Sequence, residues 1–115
     1  MWLFTKYGYF AVVKDYENDD VFWLRARVER DLENVLQLID LKNPKIIFKE
    51  NADYKFRIKL LKTEYKKLMS ILVDNLDYSN FKSMMDENAN QRHKMFAYYE
   101  VYNVLAEHFD TVESE

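Results

Sequence analysis

The chain has 115 residues, 49% of them hydrophobic and 17% aromatic, which can fill the core of one domain but is short for two. It contains no cysteine, so disulfides, thiolate catalysis and cysteine-ligated zinc are excluded. A net charge of −3 is too small to indicate a partner, and no apolar run approaches the ~18 residues of a membrane-spanning helix. The opening segment has no small-residue cleavage site, so we expect no signal peptide and a cytoplasmic location.

The first quarter of the sequence predicts three strands. Residues 2–5 and 9–14 are rich in aromatic and β-branched residues, and they flank a tight turn in which Gly8 supplies a positive φ. The acidic run 15–20 forms the next turn. Residues 21–28 alternate in polarity, as a half-buried strand does. Their apolar face carries Phe22, Leu24, Ala26 and Val28.

The middle of the sequence alternates helices with strands. Residues ~30–40 carry an amphipathic stripe of Leu32, Val35, Leu36 and Ile39, and Asn43-Pro44 ends this helix. Residues 45–50 predict a short strand. Residues 54–62 predict a longer one, whose apolar face carries Tyr54, Phe56, Ile58 and Leu60. Thr63 is a suitable N-cap for a helix over 63–76.

The order of elements contains a weak internal repeat. A strand followed by a helix occurs twice, and the apolar stripes of the two helices correspond with a shift of about 33 residues along the chain. Chance periodicity of two amphipathic helices is an equally good explanation. The order predicts an α+β fold with an antiparallel sheet of four or five strands, built from two β-β-α units in the ferredoxin-like style, with both helices on one face.

The C-terminal third predicts a different arrangement. Residues 77–85 are typical of a capped turn that runs into a short helix, and residues ~90–109 predict a last, long helix. We therefore expect one α+β domain over residues 1–110 and a frayed acidic tail over 111–115.

Basic residues fall on one face of two predicted strands. Residues 42–67 hold a surplus of Lys and Arg over acids, although the chain as a whole is acidic. Basic side chains interleaved with an aromatic ring on a sheet suit single-stranded nucleic acid. The alternative is a face that is merely solvated, or covered by residues 77–83 and the last helix. This candidate binding surface consists of Trp23, Arg25, Arg27, Lys55, Arg57 and Lys59.

The segment before the short helix has two interpretations. It could be a recognition loop, or it could be structural, with Asp77 as a helix cap, Tyr78 and Phe81 in the core, and Asn80 bonded to backbone groups. The structural interpretation is favoured. The residues concerned are Asp77, Tyr78, Asn80, Phe81 and Lys82.

The last helix carries apolar residues at intervals of three and four, a heptad-like seam. Further apolar residues make it broader than contact with one sheet requires, which predicts a homodimer. The alternative is a helix that lies across its own domain. The candidate seam consists of Met95, Tyr98, Tyr102, Leu105 and Phe109.

Five segments together resemble a family of short, uncharacterised bacterial and phage-associated proteins. They are MWLFTKYGYFAVV, WLRARVERDLENV, ADYKFRI, DYSNFKS and YYEVYNVL, and they cover nearly the whole chain. Leu24 and Tyr102 stand where that family often has Val and Trp. The resemblance implies no activity and no catalytic residue. It adds Asp53 and Tyr54 to the basic strand residues and the 77–82 segment as positions of interest.

The sequence contains no recognisable catalytic or metal-binding pattern. His93 and His108 form no ligand motif, and a single glycine leaves no material for a phosphate-binding loop. We therefore expect no enzymatic activity and no cofactor. The expected function is a small binding or regulatory protein that acts on a protein partner, with single-stranded nucleic acid as the alternative ligand. The resemblance extends this expectation to a phage-associated inhibitor of a host complex.

Overall fold

The structure is a computed structural model that describes residues 1–41 and 43–113, without the side chains of 111–113. The chain divides into two compact units, residues 1–77 and the part that begins at Tyr78. In the described residues the first unit is a five-stranded antiparallel sheet with two helices, which confirms the predicted α+β class. Its strands are β1 (Trp2–Thr5), β2 (Gly8–Lys14), β3 (Val21–Ala26), β4 (Ile47–Phe48) and β5 (Phe56–Leu61).

The sheet has the strand order β1-β2-β3-β5-β4, so β3 is the central strand and pairs with β5 on one side. Helix α1 (Glu29–Ile39) follows β3, and helix α2 (Lys62–Asp74) follows β5. Both helices pack on the same sheet face, as the repeated strand–helix order predicts, because their apolar stripes share one core. That core contains Phe10, Val12, Leu24, Ala26, Leu32, Val35, Ile39, Ile58, Leu60, Tyr65 and Leu68.

Several predicted boundaries were too wide, because alternation of polarity continues beyond the residues that pair. Strand β3 ends at Ala26, two residues before the predicted end, and β4 contains only Ile47 and Phe48. The prediction of Thr63 as N-cap was wrong, since α2 begins at Lys62. The Leu61 N–H instead donates to the Glu64 carboxylate at 2.8 Å, which satisfies one of the free amides at the helix start.

The β1–β2 turn depends on Gly8, as predicted. Gly8 has a φ of +151°, and a Cβ placed there would lie 2.3 Å from Cγ of Asp31. The Thr5 hydroxyl organises the turn, since it donates to the Gly8 carbonyl and accepts from the Tyr7 and Gly8 amides. The buried Asp31 carboxylate accepts from the Tyr9 N–H at 3.2 Å, so the first turn of α1 is fastened to β2.

The second unit contains α3 (Phe81–Glu87), a short 3₁₀ turn over Arg92–Lys94, and α4 (Met95–Glu113). Helix α4 takes in residues 111–113 of the predicted tail, while residues 114 and 115 lie outside the described residues. Within this unit Met85, Gln91 and Tyr98 are buried. In the described part of the chain, no helix is both long enough and apolar enough to cross a membrane.

Candidate binding surfaces

The sheet face opposite α1 and α2, here called the arginine face, carries the basic residues of β3 and β5. The register places Arg25 opposite Arg57 and Trp23 opposite Lys59. Residues directly opposite each other in an antiparallel pair point to the same side, so these side chains are neighbours. The strand residues of the predicted basic surface therefore lie together on one face.

Three guanidinium groups converge on one tyrosine at this face. The Cζ atoms of Arg25 and Arg27 lie 4.8 and 4.6 Å from the centroid of the Tyr54 ring. Arg57 donates to the Tyr54 carbonyl at 3.0 Å, and Arg27 donates to the Asp53 carbonyl at 3.0 Å. Two cations over one ring are held by its π-electron density, which makes Tyr54 the centre of this arrangement.

The prediction that Tyr54 faces the same way as Phe56 and Ile58 was wrong. Tyr54 precedes β5, which begins at Phe56, so strict alternation does not fix its direction. Its hydroxyl lies 2.8 Å from that of Tyr9, and the residue as a whole is only 5% exposed. The residue therefore belongs to the arginine face and not to the core under α1 and α2.

The three arginines have no ionic partner among the described residues. Among the residues that the structure describes, Arg25, Arg27 and Arg57 have no carboxylate within 4.0 Å. Their hydrogen bonds go to backbone carbonyls, Arg25 Nε to Ala11 at 3.3 Å among them. Arg57 Nε is buried and has no hydrogen-bond partner among the described residues. Guanidinium groups carry five N–H donors each, so most of these donors remain for a ligand.

The Tyr9 hydroxyl is electrically neutral at ordinary pH. The pKa of Tyr9 is raised from 10.0 to about 12. Desolvation by burial is the larger cause, and the hydrogen bond to Tyr54 is the second. The positive charges of Arg27 and Arg25 act in the opposite direction. Burial and the hydrogen bond therefore outweigh the arginines, and the Tyr9 hydroxyl contributes no negative charge that would neutralise the guanidinium groups.

Trp23 and the remaining lysines occupy the margin of the arginine face. The Trp23 indole N–H donates to the Asp15 carboxylate at 2.8 Å, and this bond is the main cause of the lowered pKa of Asp15. Trp23 is therefore fixed by the acidic turn. Lys59 is exposed, and Lys55 is exposed just before β5.

The sequence interpretation missed the aromatic residues that adjoin the arginines. Trp2 and Phe4 alternate along β1, and Tyr9 lies opposite Phe4 on β2. The Phe4 and Tyr9 rings stack at 4.7 Å, and Trp2 meets Tyr9 edge-on at 6.3 Å. The predicted hairpin could have indicated these neighbours, because the turn at Gly8 fixes which residues of β1 and β2 face each other.

The segment from Asp77 to Lys82 is engaged within the structure. Asn80, not Asp77, caps α3, because it stands directly before the first helical residue and its side chain accepts from the Ser83 amide at 2.9 Å. Asp77 instead pairs with Lys6 at 3.1 Å. Phe81 packs near Tyr78 and Tyr98, at ring distances of 6.1 and 5.9 Å.

The predicted seam on α4 divides into two parts. Tyr98 is buried beside Phe81, and Met95 is half-buried, so this part packs within its own unit. Tyr102, Leu105 and Phe109 are exposed, although Lys82 Nζ lies 4.0 Å from the centroid of the Tyr102 ring. The exposed apolar surface of α4 is wider than the seam. It contains Phe96, Tyr99, Val101, Tyr102, Val104, Leu105 and Phe109.

Comparisons with known proteins find no counterpart of this arrangement. No family model matches the chain, and neither a curated protein nor a solved structure matches it. In the described residues, no group of three or more His, Cys, Asp or Glu side chains could hold a metal ion, and both histidines are exposed. The surfaces themselves are therefore the basis for a functional proposal.

Proposed function

We propose that this chain is a small non-catalytic binding protein that docks on a protein partner through α4. The observation that carries the proposal is the exposure of large apolar side chains along this helix. Phe96 is 77% exposed, Phe109 60% and Tyr102 55%. Contiguous apolar surface of this kind is uncommon on monomeric soluble proteins and marks interaction sites.

The residue pattern of α4 supports the same proposal. Its polar side chains form one narrow stripe, because Glu100, Asn103, Glu107 and Asp110 recur at the spacing of a helix face. Apart from His108, every other position from Phe96 to Phe109 is apolar. A helix that is apolar over most of its circumference is normally buried, so exposure of α4 is consistent with a surface that a partner covers.

The exposed residue types also favour a protein as the partner. Tyrosine and phenylalanine are enriched in interface cores, and a tyrosine hydroxyl can remain at the wet rim of a contact. An amphipathic or apolar helix that enters a groove on another protein is a common mode of recognition. The sequence resemblance to phage-associated proteins extends this proposal to inhibition of a host complex.

The test compares two changes on the same helix. Leu105→Lys with Phe109→Lys places charge on the exposed apolar surface, whereas Asn103→Lys places charge on the polar stripe. In capture experiments from a bacterial lysate, a stoichiometric partner should be retained by the wild type and by Asn103→Lys and lost with the double variant. Circular dichroism should show that all three are folded. Equal capture by all three proteins, or no stoichiometric partner for a chain that is itself monomeric, would contradict the proposal.

A second copy of the chain is one form that the partner could take, as the seam predicts. Light scattering at about 50 micromolar measures this directly, because the population of a dimer depends on protein concentration. A mass twice the 14.1 kDa of the chain identifies a homodimer. In that case Leu105→Lys with Phe109→Lys should restore the monomer mass, and a monomeric wild type would leave a different protein as the partner.

A further inference from the structure

The arginine face has an electrostatic arrangement that is unfavourable for the protein alone. Arg25 and Arg57 stand directly opposite each other on β3 and β5, and like charges in this position destabilise a sheet. Arg27 adds a third positive charge within 5 Å of the same Tyr54 ring. Among the described residues no carboxylate lies within 4.0 Å of these arginines, so the protein places no counter-charge beside them. An anionic ligand would supply it.

The positions of the guanidinium groups are fixed in advance. The Tyr54 ring lies beneath two of them, and its hydroxyl is held by Tyr9 at 2.8 Å. Backbone carbonyls orient one N–H of each arginine. The nearby Asp53 carboxylate accepts from the Tyr54 amide at 2.9 Å and is not paired with the arginines. Planar, preoriented guanidinium groups recognise phosphate oxygens in bidentate geometry.

One aromatic side chain, that of Trp2, lies on the same row of the sheet as Arg25 and Arg57. Trp2, Ala11, Arg25 and Arg57 form one row, since each lies opposite the next on the adjoining strand. Two strand spacings, roughly 10 Å, therefore separate the backbone of Trp2 from that of Arg25. Trp2 is 69% exposed, and its ring is steadied edge-on by Tyr9. An exposed indole face beside a cationic site offers a stacking surface for a base.

We propose that the arginine face binds single-stranded nucleic acid, with Arg25, Arg27 and Arg57 holding a phosphate and Trp2 stacking a base. The site is independent of docking through α4. An acidic peptide shares the negative charge but has no base to stack on the exposed Trp2 indole, so the combination of arginines and indole favours a nucleotide chain. Recognition of this type is tolerant of sequence, because every base has a flat face.

The probe is a fluorescein-labelled oligothymidine of about twelve nucleotides, which matches the site size of small single-strand binders. Fluorescence anisotropy at low salt should show saturable binding. Arg57→Gln should weaken binding about tenfold. It should also reduce the slope of log K against the logarithm of the salt concentration by about one, because one phosphate contact is lost. Trp2→Ala should weaken binding by about tenfold without changing the salt dependence, because stacking releases no counterion.

Lys66→Gln is the matched control, because it removes one positive charge from the exposed surface of α2. It should leave the affinity within about twofold of the wild type. The proposal is overturned by absence of binding at low salt, by equal effects of Lys66→Gln and Arg57→Gln, or by a poly-glutamate peptide that competes as well as unlabelled oligothymidine. Circular dichroism of each variant ensures that lost binding does not reflect lost structure. Leu105→Lys with Phe109→Lys should bind the oligonucleotide normally, which separates this site from the proposed protein contact.

Discussion

Residues 1–77 and the unit that begins at Tyr78 bury apolar side chains to very different extents. In the first unit α1 turns a narrow apolar stripe to the sheet, and its Leu32 and Val35 are fully buried. In the second, α4 is apolar over most of its circumference, and among its described side chains Tyr98 alone is buried. The helix with more apolar surface is the one that hides less of it.

This contrast indicates a division of roles between the two units. Burial of large apolar side chains stabilises a fold, so the sheet and its two helices hold the larger share of the stability. Exposed apolar side chains contribute little to folding but become available to a partner. We therefore expect mutations to affect mainly stability in the first unit and mainly association in α4.

The same leucine-to-alanine change in the two units should break or confirm this contrast. Leu24 is fully buried in β3, and Leu24→Ala should lower the free energy of unfolding by about 3 kcal/mol. Leu105 is 46% exposed on α4, and Leu105→Ala should cost about 0.5 kcal/mol or less. Urea unfolding followed by circular dichroism measures both. Comparable losses would mean that α4 is part of a core and would contradict its proposed docking role.

The β1–β2 turn provides the next largest expected effect. Gly8→Ala forces a Cβ against the buried Asp31 and places alanine at a positive φ, so the free energy of unfolding should fall by about 2–4 kcal/mol. Glu33→Ala on the exposed side of α1 is the control and should have little effect. A stable Gly8→Ala variant would show that the turn can rearrange. The position of Trp2 beside the arginines, which depends on the register of this hairpin, would then need revision.

The elements that sequence reasoning predicted well are those whose pattern is local. Alternation in 21–26 and the stripe of α1 are readable because each residue's environment follows from its neighbours. Gly8 was readable for the same reason, since a tight turn has a local conformational requirement. The class of the fold and the face shared by both helices follow from these patterns.

What sequence reasoning missed depends on contacts between distant residues. Tyr54 lies just outside β5, and its direction is set by Tyr9, by Arg25 of β3 and by Arg27, none of which is near it in sequence. Trp2 lies in one row with Arg25 and Arg57 only because of the register of three strand pairs. The pairing order β3-β5 creates the site, and polarity patterns within one strand do not encode it.

High pH should weaken the first unit through the tyrosine pair. The pKa of Tyr9 is raised from 10.0 to about 12, so the folded state holds its proton more tightly than the unfolded state does. The stabilisation is complete below pH 10 and is lost as the pH rises through about 12. Tyr9→Phe should flatten this alkaline fall in the free energy of unfolding. Tyr16→Phe, at a 94% exposed position, should leave the fall unchanged and serves as the control.

Low pH should produce the smallest effect, through the acidic turn that holds Trp23. The hydrogen bond from the Trp23 indole, followed by that from the Glu17 amide, lowers the pKa of Asp15 below 3.8. A lowered folded-state pKa stabilises the protein above the unfolded value and ceases to do so as the pH falls through the folded value. Asp15→Asn should therefore lie below the wild type in unfolding free energy near neutral pH, with the gap closing under acid. Because Asp15 is on the surface, the gap should be small, and Trp23 fluorescence during urea unfolding can follow it. A gap of equal size at every pH would mean that the Trp23 indole does not distinguish the charged Asp15 carboxylate from an amide, which would contradict the prediction.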